Sequence, residues 1–352
     1  MSDVLTSPAP DSTERKTRHR RSLKRWQKAL VVLLTLVLVG GICGGAGTLL
    51  LVGRYEGKTH HEDILGPIAA PKDEQRWKSG PLDLLLLGSD SREGGLDEGS
   101  VSGQRSDTIM LVHLSKNLDR ATIVSIPRDS YVYVPPAKGW KGGMNKLNAA
   151  FAFGGAPHAA KTITQLTGVK FDGAMIANFA SIHKMVEAVD GVRVCVPYNV
   201  GSRSSGKVWE KGCHQLDGAA AEEFMRQRKT VPGGDFGRIH DQQLVVKAIA
   251  EKVAAEGMLQ NPFRLDGLVV TAAEALTIDK SLDLQELALV ARNIKPANIK
   301  FATVPYTSAS LKTHAGSAVK LDDAKAKEMF AAIRDDTIQE WLAAHPQKVP
   351  GS

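Results

Sequence analysis

Apolar positions along the 352 residues fall into three kinds of run. The stretch from Ala29 to Val52 holds no charged residue. At 1.5 Å rise per residue it is long enough to cross a hydrocarbon core of about 30 Å, which predicts a transmembrane helix over 29–53. Shorter apolar runs at Leu84 to Leu87, Ile109 to Leu114 and Ala121 to Ile126 predict strands buried on both faces. Segments with helical spacing alternate with them: Lys146 to Phe153, His158 to Leu166, Phe179 to Val189, Asp217 to Arg226, Gly237 to Glu256, Pro262 to Leu276, Leu284 to Asn293 and Leu321 to Leu342. The alternation predicts an α/β fold over 81–345, behind a disordered basic tail (1–28), the span and a linker (54–80).

Charge turns the span into a topology. The formal net charge is +7, and Arg15, Lys16, Arg18, Arg20, Arg21, Lys24, Arg25 and Lys28 have no acid among them. Basic residues concentrate on the cytoplasmic side of a span, so the tail is expected in the cytosol and the domain outside the cell membrane. Arg20-Arg21-Ser22-Leu23-Lys24 faintly resembles a twin-arginine signal, but no A-x-A-like cleavage site follows, and a retained signal-anchor is expected. A basic tail directly before a span is a topology signal in contact with anionic membrane lipid rather than a nucleic-acid arm, so no nucleic-acid partner is expected. Gly40, Gly41, Gly44 and Gly45 form small-x-x-x-small pairs, which leaves the oligomeric state open.

Cysteine usage agrees with that topology. Cys43 lies in the predicted span, leaving Cys195 and Cys213 as a pair in an oxidising compartment. A disulfide between them would contribute on the order of 3 kcal/mol. The alternative is that Cys195, inside the apolar run Val192 to Val196, is a buried free thiol.

Candidate chemistry starts where the first strand ends, in Gly88-Ser89-Asp90-Ser91-Arg92. A carboxylate at the C-terminal end of a buried strand sits where α/β sheets build their sites. Asp107 follows in Arg105-Ser106-Asp107-Thr108, at the head of the next strand. Two carboxylates on adjacent strands can share Mg²⁺ or Mn²⁺; equally, each can cap a turn. Arginine separates the two readings. Arg92 and Arg105 flank these acids, Arg128 follows the next strand in Ser125-Ile126-Pro127-Arg128-Asp129, and Arg226, Arg228 and Arg238 come later, with Gln242 one turn beyond. Converging guanidinium forks over a metal suit a pyrophosphate. Gly201-Ser202-Arg203-Ser204-Ser205-Gly206-Lys207 lacks the Ser or Thr of a P-loop and predicts a flexible loop. Asp235-Phe236-Gly237 stands without the other kinase motifs, and His60-His61-Glu62-Asp63 lies in the predicted linker.

The ordered set GSDSR, RSDT, SIPRD, Asn145-Lys146-Leu147-Asn148-Ala149-Ala150, His214-Gln215-Leu216-Asp217-Gly218, Arg226-Gln227-Arg228 and DFGRIHDQQ resembles the LytR-CpsA-Psr family of cell-wall assembly proteins. The resemblance implies a mixed central β-sheet flanked by helices. It also implies a phosphotransferase that moves a glycopolymer from a polyprenyl-pyrophosphate carrier to peptidoglycan, at the muramic acid 6-hydroxyl. By motif position Asp90 and Asp107 would hold Mg²⁺, and Arg92, Arg105, Arg128, Arg226, Arg228, Arg238 and Gln242 would bind the pyrophosphate. Asp90, Asp107, Arg128 and Arg238 would carry the catalytic step, with the general base left open between the two aspartates. Some relatives carry one more arginine a turn beyond SIPRD, where this chain has Val132. The rival expectations are a pyrophosphatase that releases the polymer to water, and a non-catalytic wall-polymer binding module or membrane-bound regulator.

Overall fold

In the computed structural model, residues 60–89 and 106–346 are described, Ser106 and Asp107 by their backbone alone. The expected span over 29–53 lies outside the described residues, and among these no helix is long and apolar enough to cross a membrane.

The chain enters through β1 (His60–Glu62) and α1 (Glu74–Ser79), then crosses the molecule in β2 (Leu82–Ser89), β3 (Ser106–Leu114) and β4 (Ala121–Ser125). A small hairpin follows, β5 (Tyr131–Val134) and β6 (Gly143–Lys146), and leads into α2 (Leu147–Thr167). Next come β7 (Gly173–Asn178), α3 (Phe179–Ala188), β8 (Val192–Val196), the short β9 (Val200–Gly201) and β10 (Val208–Trp209), and β11 (Gly212–Leu216). Then α4 (Gly218–Met225), α5 (Asp235–Ala255) and α6 (Pro262–Ala275) run on to β12 (Thr277–Asp279) and α7 (Leu284–Ala291). The described chain closes with β13 (Ile299–Thr303), a second hairpin of β14 (Tyr306–Thr313) and β15 (Gly316–Leu321), α8 (Asp323–Arg334) and α9 (Ile338–Ala344).

The central sheet has the order β1-β12-β7-β2-β3-β4-β13 among the described residues. It is mixed: β2 runs parallel to β7 and antiparallel to β3, while β4 runs parallel to β13. Strands β2 and β4 are apolar because both faces are covered. Leu85, Leu87, Ile109 and Leu111 pack with α2 and α8 on one side. Leu82, Leu84 and Leu114 pack with Trp77 and Val290 on the other. Val132, the position where some relatives carry arginine, is 5% exposed in the first of these cores.

Three expectations are corrected. Residues 60–79, expected as part of the linker, belong to the fold: Ile64 and Leu65 are buried, and their backbone N–H groups donate to Asp279 Oδ2 at 2.8 and 2.9 Å. Asp279 thereby satisfies backbone donors that a solvated linker would leave to water. The helical patterns at Lys146 to Phe153 and His158 to Leu166 are two halves of α2, kinked at Gly154 and Gly155 just before Pro157, which lacks the N–H needed to continue the ladder. The pattern from Leu321 to Leu342 divides into the end of β15, α8 and α9. The break falls at Asp336, which has φ 55°. Its carboxylate lies 2.9 Å from His113 Nε2, while His113 Nδ1 lies 2.8 Å from Asp83. A buried imidazole held between two carboxylates outweighs one more helical turn.

Candidate functional site

Strand β2 ends at Ser89, which pairs with Ser106, and Gly88 pairs with Thr108. Asp107 is therefore the extra residue of a β-bulge, a device that re-aims a residue beside a site. Asp90 follows Ser89 directly, so both aspartates are one residue from the Ser89–Ser106 pair. Asp90, Arg92 and Arg105 lie outside the described residues, as does the Asp107 side chain. Carboxylates are oxygen donors of the kind Mg²⁺ takes, and these two are the expected ligands. No group of three or more His, Cys, Asp or Glu forms a metal cluster among the described residues.

Beside this strand end the structure gathers arginines around a residue the sequence reading had not assigned. Asp235, in the first turn of α5, places Oδ1 2.7 Å from Arg238 Nη2 and 3.6 Å from Nε of both Arg128 and Arg228. Three guanidinium groups thus converge on one carboxylate, and Asp129 also acts on Arg128. Arg128 and Arg238 are largely buried, with side chains 12% and 7% exposed, whereas Arg228 is 51% exposed. Burial first, and then the charge of Arg238, lower the Arg128 pKa from its ordinary value.

Local structure explains the surrounding motifs. The SIPRD turn is held by Ser130, whose hydroxyl donates to Pro127 O at 2.6 Å, and by the Asn148 N–H, which donates to Arg128 O at 2.9 Å. Lys146 Nζ lies 3.7 Å from Asp129, and Asn148 Nδ2 donates to it at 3.2 Å, so the NKLNAA run braces that turn. In HQLDG, Asp217 caps α4 by accepting from the Ala220 N–H at 2.8 Å. Helix α4 then ends at Arg226. Gly237 in DFGR permits a close approach: a Cβ there would stand 2.3 Å from Pro232 O.

Arg226 is not on Asp235. Its Nη2 pairs with Glu222 at 2.7 Å, and its guanidinium lies 4.4 Å from the centre of the Phe179 ring. Phe179 in turn lines an apolar pocket with Leu86, Met110, Ala177, Ile182, Met225 and Val246. The pocket's few polar residues are Ser89, Thr108, Asn178 and Gln242. Thr108 Oγ1 donates to Gln242 Oε1 at 2.9 Å. Gln242 is thus part of the pocket wall, adjoining the arginine cluster through α5. Gly88 in the pocket wall packs closely on its strand partner Thr108, whose Cβ an added Cβ would meet at 2.6 Å.

Asp235, Phe179 and Thr108 are the site residues missed. Asp235 had a signal, an acid three residues before Arg238 at a helix start, the spacing of a helical ion pair. Asp241 is also fully buried on α5; the Tyr198 hydroxyl donates to it at 2.9 Å, and burial pushes its carboxyl up to about 7. Cys195 and Cys213 face each other across β8 and β11 and form a disulfide. Both are exposed, so the alternative of a buried thiol at Cys195 does not hold.

The chain is 34% identical over 258 residues to the probable cell wall biosynthesis protein LcpB of Corynebacterium glutamicum, a match covering 71% of this chain and 60% of that protein. It is 34% identical over 214 residues to the polyisoprenyl-teichoic acid–peptidoglycan teichoic acid transferase TagU of Bacillus mycoides, covering 59% of this chain and 65% of that protein. The chain thus spans less than two thirds of the length of these relatives. A solved structure of TagT bound to LIIa-WTA has the same fold, with a TM-score of 0.60 at 24% identity over 80% of this chain and 97% of that one. Residues 54–335 match the model of the LytR_cpsA_psr family, and the chain belongs to that family.

Proposed function

We propose that the chain is a phosphotransferase that moves a glycopolymer from a polyprenyl-pyrophosphate carrier to the muramic acid 6-hydroxyl of peptidoglycan. The observation that carries this reading is the adjacency of an arginine cluster and an apolar pocket, joined by α5. A ligand with a charged head and a hydrocarbon tail satisfies both at once. The name of the TagU relative, a polyisoprenyl-teichoic acid–peptidoglycan transferase, agrees with that ligand.

In the reaction the acceptor hydroxyl oxygen attacks the phosphorus that bears the sugar. A new P–O bond forms, the P–O–P bridge breaks, its electron pair stays on the departing polyprenyl phosphate, and the hydroxyl proton passes to a base. Arg128, Arg228 and Arg238 are already oriented by Asp235, so they stabilise charge moving toward the bridging oxygen without reorganising. Arg226 on Phe179 guards the rim of the pocket. Asp90 and Asp107 are the residues that would hold Mg²⁺, or Mn²⁺, which neutralises phosphate charge when bound. The predicted anchor over 29–53 would hold the site at the membrane where the lipid carrier resides.

The test incubates full-length protein in detergent with Mg²⁺, a polyprenyl-pyrophosphate oligosaccharide and peptidoglycan strands. Lipid monophosphate released together with a new sugar–phosphate–muramic acid diester is the expected result. Lipid monophosphate with free sugar phosphate alone would convert the assignment to a pyrophosphatase.

A further inference from the structure

Aromatic side chains collect on the surface on one side of the arginine cluster. Phe236, next in sequence to Asp235, stacks on Tyr306 with ring centroids 4.0 Å apart and planes 22° from parallel. Tyr306 opens β14 and is 43% exposed, so this aromatic pair is open to solvent on the Tyr306 side. The β5–β6 hairpin extends the surface. Val132 and Val134 point into the core, while Tyr131 and Tyr133 alternate outward, paired with Lys146 and Met144. Tyr133 is 54% exposed, and the Tyr131 hydroxyl lies 3.1 Å from His314 on the other hairpin.

The second hairpin is held to the SIPRD turn from which the first one starts. The Val319 N–H donates to Asp129 O at 2.8 Å, and the Val304 N–H to Ser125 O at 3.0 Å, on either side of Arg128. Their charge is one-sided: residues 130–146 and 305–320 contain no acid, and Lys138, Lys141 and Lys312 are exposed there. The outer face is therefore aromatic and basic. The C–H face of a sugar ring suits the electron-rich face of an aromatic ring, and lysines suit carboxylates carried on the glycan.

We propose that the β5–β6 and β14–β15 hairpins form the docking surface for the acceptor, a peptidoglycan glycan strand with its carboxylate-bearing peptides; this rests on the phosphotransferase reading above. Position in the sheet favours the acceptor over the donor. The apolar pocket lies over β7, β2 and β3, whereas the hairpins join at β4 and β13. Helix α5 bridges the two sides, since Gln242 bonds Thr108 of β3 while Gln243 donates to Ser125 Oγ at 2.8 Å and to Ala302 O at 3.1 Å. Displacement at phosphorus places the attacking oxygen opposite the leaving one. With the lipid phosphate departing on the pocket side, the acceptor enters over Phe236 and Tyr306.

The test titrates full-length protein in detergent with soluble, uncrosslinked peptidoglycan strands, without donor, and then measures acceptor kinetics. Tyr306→Ala and Tyr133→Ala are expected to weaken strand binding at least about tenfold together, and Tyr306→Phe to stay within about twofold of wild type. In turnover the acceptor KM is expected to rise in the alanine variants while kcat at saturating acceptor and the donor KM hold. Unchanged strand affinity in the double variant overturns the proposal, and so does an equal loss of affinity for lipid-free donor polymer. Strand binding that depends on these tyrosines in a protein that never cleaves the donor would keep the surface and sink the phosphotransferase instead. Donor cleavage by a wild type that binds no strand would do the reverse.

Discussion

Arg238 Nη2 donates to Asp235 Oδ1 across one turn at the start of α5, at 2.7 Å, and the same oxygen faces Arg128 and Arg228. One carboxylate is therefore shared by three guanidinium groups.

That relationship separates charge from orientation. Asp235→Asn leaves the cluster more positive, so attraction for the donor's pyrophosphate is kept or strengthened, but the guanidinium groups lose their common anchor. We expect the donor KM to stay level or fall while kcat drops about 10- to 100-fold, since orientation acts mainly in the transition state. Steady-state kinetics on a common donor series checks this. A raised KM with normal kcat would mean that Asp235 contributes through binding alone.

The pocket end offers a steric test. In Gly88→Ala the new methyl would stand 2.6 Å from Thr108 Cβ and 2.9 Å from its Oγ1. Thr108 must shift, and its hydrogen bond to Gln242 goes with it. Overpacking of this kind costs about 1–3 kcal/mol. A lowered melting temperature is expected, with KM rising more for a long polyprenyl donor than for a short-chain analogue. Equal KM changes for both donors would place the lipid elsewhere.

The disulfide is reached by a third change. Cys195 and Cys213 lie 18 residues apart on β8 and β11, and β11 leads through Asp217 into the helix that ends at Arg226. Because both cysteines are exposed, the double change Cys195→Ala, Cys213→Ala opens no core cavity. It should lower unfolding stability by about 2–4 kcal/mol through loop entropy. Denaturant unfolding of the variant, beside wild type with and without reductant, checks it; the reductant should move wild type alone.

How much of this was legible in the sequence depends on which faces are buried. Strands β2, β3 and β4 were legible because burial on both sides writes an unbroken apolar run. Arg128, Arg228 and Arg238 were legible as a group only through ordered motifs, since any one arginine is an ordinary surface residue. Asp235 was not, because the same motif gives no measure of how far Arg128 lies from α5. Strand β14 escaped for the opposite reason: Tyr306, Thr307, Ala309 and Ser310 are exposed, so no alternation of apolar and polar positions marks it. The break at Asp336 depends on His113, more than two hundred residues earlier in the chain, and no local pattern could announce it.

Asp241 allows a prediction with a definite sign. It is fully buried, its Oδ1 accepts from Tyr198, and its Oδ2 has no hydrogen-bond partner among the described residues. Burial raises the carboxyl to about 7 from an ordinary 3.8, the Tyr198 hydrogen bond opposing the rise. A folded pKa above the unfolded one means that the native state binds the proton more tightly. The stability contributed by that proton is complete below about pH 4 and is lost as pH rises through about 7. Asp241→Asn keeps an acceptor for Tyr198 and removes the charge. The variant should melt with wild type near pH 4 and above it at pH 8, by an amount bounded at about 4 kcal/mol. Melting curves collected from pH 4 to 8 decide the matter; a variant less stable than wild type at pH 8 would show that the ionised carboxylate has a native partner and that burial does not dominate at this position.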